Sequence, residues 1–493
     1  MSPINVTLTQ DETEALVCLR ELIALVRAGA PTWPGWDPGL VPFLLYKPSG
    51  NAFLINHPFP PAELYLINVG ESLGKVYYYH GELRKLRRAG SGEINGFETA
   101  VVPISFPPGL ERSEAFLARL AGEAFHIHQR GMGLLPPPAD IADGYPDLSP
   151  ENNALGNLEG QVLHEALTRA ANAGAAVAGA ANAGAAGEGL AQLAREFLAV
   201  REARQKGLSR EMVLYEQGVE LYDGLAAYVE DQVLAFGARP SYEATREWRE
   251  LFGRERLDYG RQELDRRRER LKTINLHGEG AAKDRFVVTG AAIAHLLDAL
   301  NPRWRAALGQ TGVPLTQILA KATGYKPSDA SEGLAAAKAR HGYEARYEDE
   351  RAFAAAESGK RESLLASVLA QPGRRFVFDL SAVRPTGSDV DPAGIRRIDE
   401  ARRIHTKRCT FFYRETMLDF RGLPVIEDRA KRTFLVIVPP RDLDFKLDHA
   451  SYSPSDDGRF HQRLELTGPG IKVLAASGVV EYDQGTVYVR IER

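Results

Sequence analysis

The sequence predicts an α+β chain, with an N-terminal mixed sheet, a helical block after it, and a C-terminal β domain. Three observations carry this. Short β-branched and aromatic runs bounded by turn residues occupy the stretch before residue 110. Apolar residues recur at helical spacing from 112 to about 360, and β-type runs return after Pro372-Gly373. At 493 residues the chain is too long for one hydrophobic core. The expected division is 1–110 and 111–360 as two parts of one core, with 373–493 as a separate domain.

Each element has its own justification. Leu16, Leu19, Ile23 and Val26 recur behind Asp11 and stop at Gly29, which predicts a helix over 10–28. The Trp/Pro/Gly-rich stretch from Pro31 to Pro42 reads as loop. Phe43–Tyr46 and Ala52–Asn56 flank Pro48-Ser49-Gly50 and read as a hairpin, because those residues tolerate tight-turn angles. Lys75–His80 and Thr99–Phe106 are further strand-like segments. The basic cluster Arg84, Lys85, Arg87, Arg88 runs into Gly90-Ser91-Gly92 and reads as a solvated strand end or turn.

Helices are expected over 112–130 and 151–170, with Pro136-Pro137-Pro138 forcing an extended connection between them. The stretch 170–189 is almost only Ala, Gly and Asn and is expected to be a flexible insertion. Helical patterns resume over 190–206, 209–236, the Arg/Glu-rich 242–272, 285–301, 314–323 and 330–357. Phe376–Leu380, Thr410–Arg414, Phe434–Val438, Arg463–Thr467 and Thr486–Ile491 then read as strands.

The net charge of −4 gives no global reason to bind nucleic acid or an anionic membrane. Cys18 and Cys409 provide no disulfide framework. No apolar run reaches 18 residues, and the N-terminus lacks a basic region followed by an apolar one. A cytoplasmic protein without membrane partners is the expectation.

The chemistry-bearing pattern is Gly122-Glu123-Ala124-Phe125-His126 on a helix that directly follows strands. Two histidines four apart project from one helix face and can share a zinc ion, and a glutamate beside the first reaches the metal-bound water. About 95 residues later stands Glu220-Leu221-Tyr222-Asp223-Gly224-Leu225-Ala226-Ala227-Tyr228-Val229-Glu230. These two runs resemble the zinc helix and the third-ligand helix of the gluzincins, the peptidase MA-like zinc metallopeptidases, with Gly122 in place of the first histidine and Asp223 in place of glutamate. Asn152–Leu167 with its Leu158-Glu159-Gly160 core, and Val288-Thr289-Gly290 to Leu297-Asp298, fit the same group more loosely. The resemblance covers about residues 40–310 and leaves out the C-terminal domain.

The resemblance implies a zincin-like core with a degenerate zinc motif. Glu123 would be the general base, His126 a metal ligand, Asp223 a shortened third ligand and Tyr228 a transition-state donor. The implied cofactor is zinc or another divalent ion, and none if the site is dead. His128 lies about 200° round the helix from His126 and does not share its face. Glu123 with His126, and Glu220 with Asp223, do share faces on regular helices, so a rebuilt site of Glu123, His126, Glu220 and Asp223 is one alternative. Such an oxygen-rich set suits Mn or Mg better than Zn.

Three functional readings follow: a degenerate homologue that binds peptide or protein in the cleft, an active metal-dependent hydrolase with a rebuilt site, and a non-enzymatic interaction protein. His164-Glu165 is half of a zinc motif with Thr168 at the second position and reads as helix surface. His295 reads as a hydrogen-bonded core residue, and Cys409 as a buried cysteine.

Overall fold

A computed structural model describes residues 4–492 apart from 48–49, 70–72, 82–89, 110–111, 139–140, 142–143, 177–182, 274–280, 309–311, 440–442 and 454–455. The chain divides into two compact units, Met1–Ala142 with Glu151–Tyr347, and Asp143–Pro150 with Glu348–Arg493. The order of mixed sheet, helical block and β-rich C-terminal region is the predicted α+β architecture. Among the described residues, no helix is long and apolar enough to cross a membrane.

The first unit opens with helix α1 (Gln10–Arg27), whose Glu12 carboxylate accepts the Thr9 backbone N–H at 2.8 Å. It ends before Gly29, which adopts a positive φ of 95°. Six strands follow: β1 (Phe43–Tyr46), β2 (Ala52–Ile55), β3 (Tyr65–Ile67), β4 (Val76–Tyr79), β5 (Gly90–Ile94) and β6 (Phe97–Pro103). They form one sheet in the order β3-β4-β2-β1-β6-β5, with only β1 and β6 parallel. Phe43, Leu45, Phe53, Ile55 and Val102 enter the main core from one face, while Leu44, Tyr46, Leu54 and Val101 pack on the other. Burial on both faces is why β1 and β2 read as continuous apolar runs rather than alternating ones. Each such side chain contributes about 1.5–3 kcal/mol by leaving water.

The expected hairpin is the β1–β2 pair, closed by Lys47 N–H donating to the Asn51 carbonyl at 2.8 Å. Its Pro48 and Ser49 lie outside the described residues, as do Arg84, Lys85, Arg87 and Arg88. Of the two readings, strand end or turn, Gly90-Ser91-Gly92 take the first and open edge strand β5.

The helical block comprises α2 (Arg112–Gly131), α3 (Pro150–Ala176), α4 (Ala183–Gln205), α5 (Arg210–Val219), α6 (Leu225–Gly237), α7 (Arg246–Phe252), α8 (Gly260–Thr273), α9 (Ala281–Leu300), α10 (Trp304–Leu308), α11 (Leu315–Thr323) and α12 (Ala330–His341). Helix α13 (Tyr343–Leu369) begins in this unit. Three expectations change. The Ala/Gly stretch is helical to Ala176 and again from Ala183, because alanine's propensity outweighs the scattered glycines; residues 177–182 lie outside the described residues. The segment 242–272 breaks at Gly253, and 330–357 breaks at Gly342, both with left-handed φ.

The second unit is a two-sheet sandwich. One eight-stranded sheet runs Gly458–Phe460, Gly478–Asp483, Thr486–Ile491, Arg374–Asp379, Thr433–Val438, Val425–Asp428, Arg402–His405, Ile395–Arg397. The facing seven-stranded sheet runs Ala450–Ser451, Asp444–Leu447, Leu464–Gly468, Ile471–Ala475, Thr416–Phe420, Cys409–Tyr413, Gly387–Val390. Phe376, Phe378, Val436 and Val489 of the first meet Phe411, Leu418, Phe420 and Val473 of the second in one core. Asp147 joins this unit through Arg361 at 2.8 Å and Arg397 at 3.3 Å.

Candidate functional site

The candidate site lies in the first unit, where α2 meets the α5–α6 rod and α9. That rod is not one regular helix. Glu220–Gly224 form a π turn between α5 and α6. The i→i+5 pattern widens the turn, so residues three apart no longer stand on one face. The turn lies close against α9 because two glycines meet there: a Cβ on Gly224 would lie 2.8 Å from Gly290 Cα, and one on Gly290 2.7 Å from the Glu220 carbonyl oxygen. The Gly-Leu-Ala and Val-Thr-Gly runs therefore mark one backbone-to-backbone crossing.

Across the turn from α2, His126 Nε2 stands 4.0 Å from Asp223 Oδ1, with both side chains largely buried. The imidazole stacks on Tyr222 with ring centroids 4.3 Å apart. Its tautomer follows from Gln129, a fully buried side chain. The Gln129 amide donates to the Leu221 and Tyr222 carbonyls at 3.0 and 2.8 Å, two groups of the π turn. Its Oε1 is thereby left facing His126 Nδ1 at 2.8 Å, so Nδ1 carries the proton. Burial holds this imidazole below its ordinary pKa, against the upward pull of Asp223. The neutral ring thus turns the lone pair of Nε2 toward a carboxylate. Asp223 Oδ1 is taken by the Lys283 ammonium at 3.1 Å, while its buried Oδ2 has no donor among the described residues.

Glu123 lies one turn back along α2. Burial first, and then the neighbouring Glu230, push its carboxyl up to about 7, opposed by Arg119. Its Oε2 is buried with no hydrogen-bond donor among the described residues. Glu230 is held by Arg267 at 2.7 Å, and the same guanidinium binds Asp231 at 3.1 Å and Glu263 at 2.9 Å. A Cβ added at Gly122 would overlap Glu230 Oε1. The space of the missing side chain is therefore filled by a carboxylate. Beside these groups lies a cavity of about 370 Å³, lined among others by His126, Asp223, Glu230, Arg267, Lys283 and His295.

Two of the proposed site residues go elsewhere. Glu220 is fully buried, bound to Arg201 at 2.9 Å and to the Thr289 hydroxyl at 2.8 Å. It belongs to a network in which Arg201 and Arg204 grip Glu159, Arg204 also grips Glu216, and Arg285 lies 3.7 Å from Glu159. The face shared by Glu220 and Asp223 on a regular helix is lost in the π turn. Tyr228 donates to Asp298 Oδ2 at 2.6 Å and receives Gln232 at 3.0 Å and Arg305. Its hydroxyl is committed to that cluster rather than to a reacting group beside Glu123. His295 is hydrogen-bonded to Asp231 at 3.0 Å, and His164 bonds Glu269 at the surface.

The residues present do not fit a zinc ion. A zinc site needs three or four converging protein ligands. Here His126 and Asp223 face each other, the space at residue 122 holds a carboxylate already bound to Arg267, and a lysine ammonium sits on Asp223. Among the described residues, no group of three His, Cys, Asp or Glu side chains is arranged to hold a metal. Gln129, Glu230, Arg267 and Lys283 were not singled out as site residues from the sequence. Only Gln129 had a readable signal, since it continues the Glu123, His126 face by a further three residues. No family model, curated protein or solved structure matches the chain.

Proposed function

We propose that this chain is a zincin-like protein of the gluzincin type with a degenerate metal site, and that it binds peptide or protein in the former active-site cleft without cleaving it. The observation that carries the reading is the Glu230 carboxylate in the volume a side chain at residue 122 would need, beside a retained His126–Asp223 pair. The first argues against hydrolysis, and the second supports descent from a site where those two groups converged. Binding is supported by β5, which stands at the end of the strand order beside α2, a position that suits strand addition by an extended peptide. The cavity beside His126 and Asp223 offers both acidic and basic groups to a peptide bound there.

The test is a peptide array probed with the full chain, with and without a chelator, and mass spectrometry of the peptides after prolonged incubation with zinc. Binding that survives chelation, without cleavage, and that falls at least about tenfold with Asp223→Lys, supports the reading. Zinc-dependent cleavage would establish the active alternative. Absence of binding to any peptide would leave the interaction-protein reading.

A further inference from the structure

The mismatch between these residues and a metal has its own logic. Gly122 is buried on α2 and Glu230 is half-buried on α6, and each makes sense only with the other. The carboxylate of Glu230 enters because residue 122 has no side chain, and any Cβ there meets Glu230 Oε1. Arg267 then anchors that carboxylate while also holding Asp231 and Glu263, so Glu230 is fixed rather than loosely filling a gap. On the opposite side two acceptors face one another, the lone pair of His126 Nε2 and Asp223 Oδ1, at 4.0 Å. Such a pair requires a cation or a donor beside it. Lys283 meets that need from α9: its ammonium is 3.1 Å from Asp223 Oδ1 and acts electrostatically on both His126 and Glu123.

We infer that the metal position has been refilled from within the chain, with the Glu230 carboxylate in the volume of a side chain at 122 and the Lys283 ammonium supplying positive charge at Asp223. This rests on reading α2 as a former metal helix. It adds that Gly122, Glu230 and Lys283 form one coupled set, so restoring a histidine at 122 does not by itself restore metal binding.

Zinc stoichiometry after metal-free purification, and zinc affinity by chelator competition, are measured for the full chain carrying Gly122→His, for Gly122→His with Glu230→Ala, and for that pair with Lys283→Ala. Expected are no stoichiometric zinc in the wild type or the single variant, one zinc per chain in the double variant, and affinity higher again by about tenfold when Lys283 is removed. Loss of that zinc on a further His126→Ala change would assign it to this position. Stoichiometric zinc in Gly122→His at the affinity of the double variant would overturn the role of Glu230. Zinc-free but folded double and triple variants would overturn the refilled site itself.

A metal-free cycle guards against misfolding of these variants. Gly122→Ala should lower the melting temperature in the wild type and not in Glu230→Ala, and equal melting of Gly122→Ala and wild type would refute the close fit. Peptide binding by the wild type is independent of all these outcomes, so failure here and failure of the proposed function are separable.

Discussion

Gln129 holds His126 and the π turn at once: its Oε1 accepts from His126 Nδ1 at 2.8 Å while its amide donates to the carbonyls of Leu221 and Tyr222. One buried side chain therefore fixes an imidazole tautomer and satisfies two carbonyls beside the irregular turn. Gln129→Leu removes the two hydrogen bonds to those carbonyls, of which Tyr222 O keeps the Leu225 N–H, and should cost about 1–2 kcal/mol by urea denaturation. Nitrogen-15 NMR of the imidazoles should show the proton on Nδ1 of His126 in the wild type and loss of that preference in the variant.

Glu123 sets a pH dependence. Its folded carboxyl titrates at about 7 against an ordinary 4.5. Between those values the folded chain holds a proton that the unfolded chain has lost, so stability falls as pH rises through this window and levels off above it. The full effect is at most on the order of 3 kcal/mol. Melting curves from pH 5 to 8 should decline more steeply in the wild type than in Glu123→Gln, and parallel curves would contradict the assignment.

The Arg–Glu network around Glu159 is a brace between α3, α4 and α5. Arg204 contacts Glu159 at 2.6 Å and Glu216 at 2.6 and 2.8 Å in a fully buried setting. Arg204→Met removes the cation and leaves these carboxylates short of a partner, at a cost of about 3–5 kcal/mol. Adding Glu216→Gln should recover part of the loss, measured by denaturant midpoint.

The crossing of the π turn over α9 tolerates no side chain. Gly290→Ala would place a methyl against the Glu220 carbonyl and the Gly224 Cα, all backbone atoms that cannot swing aside. A loss of about 1–3 kcal/mol is expected, together with weaker peptide binding, because Asp223 rides on the displaced turn.

Tyr228→Phe separates a structural hydroxyl from a chemical one. Asp298 keeps Trp304 Nε1 at 2.8 Å and Arg305 at 3.0 Å, so removing the Tyr228 hydroxyl should cost about 1 kcal/mol and leave peptide affinity unchanged.

Much of the fold could be read from residue patterns because the signals are local. The α1 periodicity, the β1–β2 pair, α2, α9 and the strands of the sandwich core all follow from spacing and turn residues. Strand β3 is too short to announce itself, and the glycines that open β5 left strand end and turn both open. At the site, Glu123, His126 and Asp223 were visible as a motif, and His126 and Asp223 do face each other. Lys283, Glu230 and Arg267 were not, because each acts through a tertiary contact between helices and none has a periodic signature. Glu220 was misplaced for one reason: its face was inferred from a regular helix through residues where the helix is not regular.

That irregularity makes α5 and α6 two halves of one rod set out of phase. Glu216 and Glu220, up to the start of the turn, look to Arg204 and Arg201, while Asp223 and Glu230 look to Lys283 and Arg267. The turn takes up one residue more than a regular turn, so the face that carries Glu216 and Glu220 does not continue into the one that carries Asp223 and Glu230. Anchorage and cavity chemistry are thus written on the same helix in separate reading frames, and sequence change in one need not disturb the other.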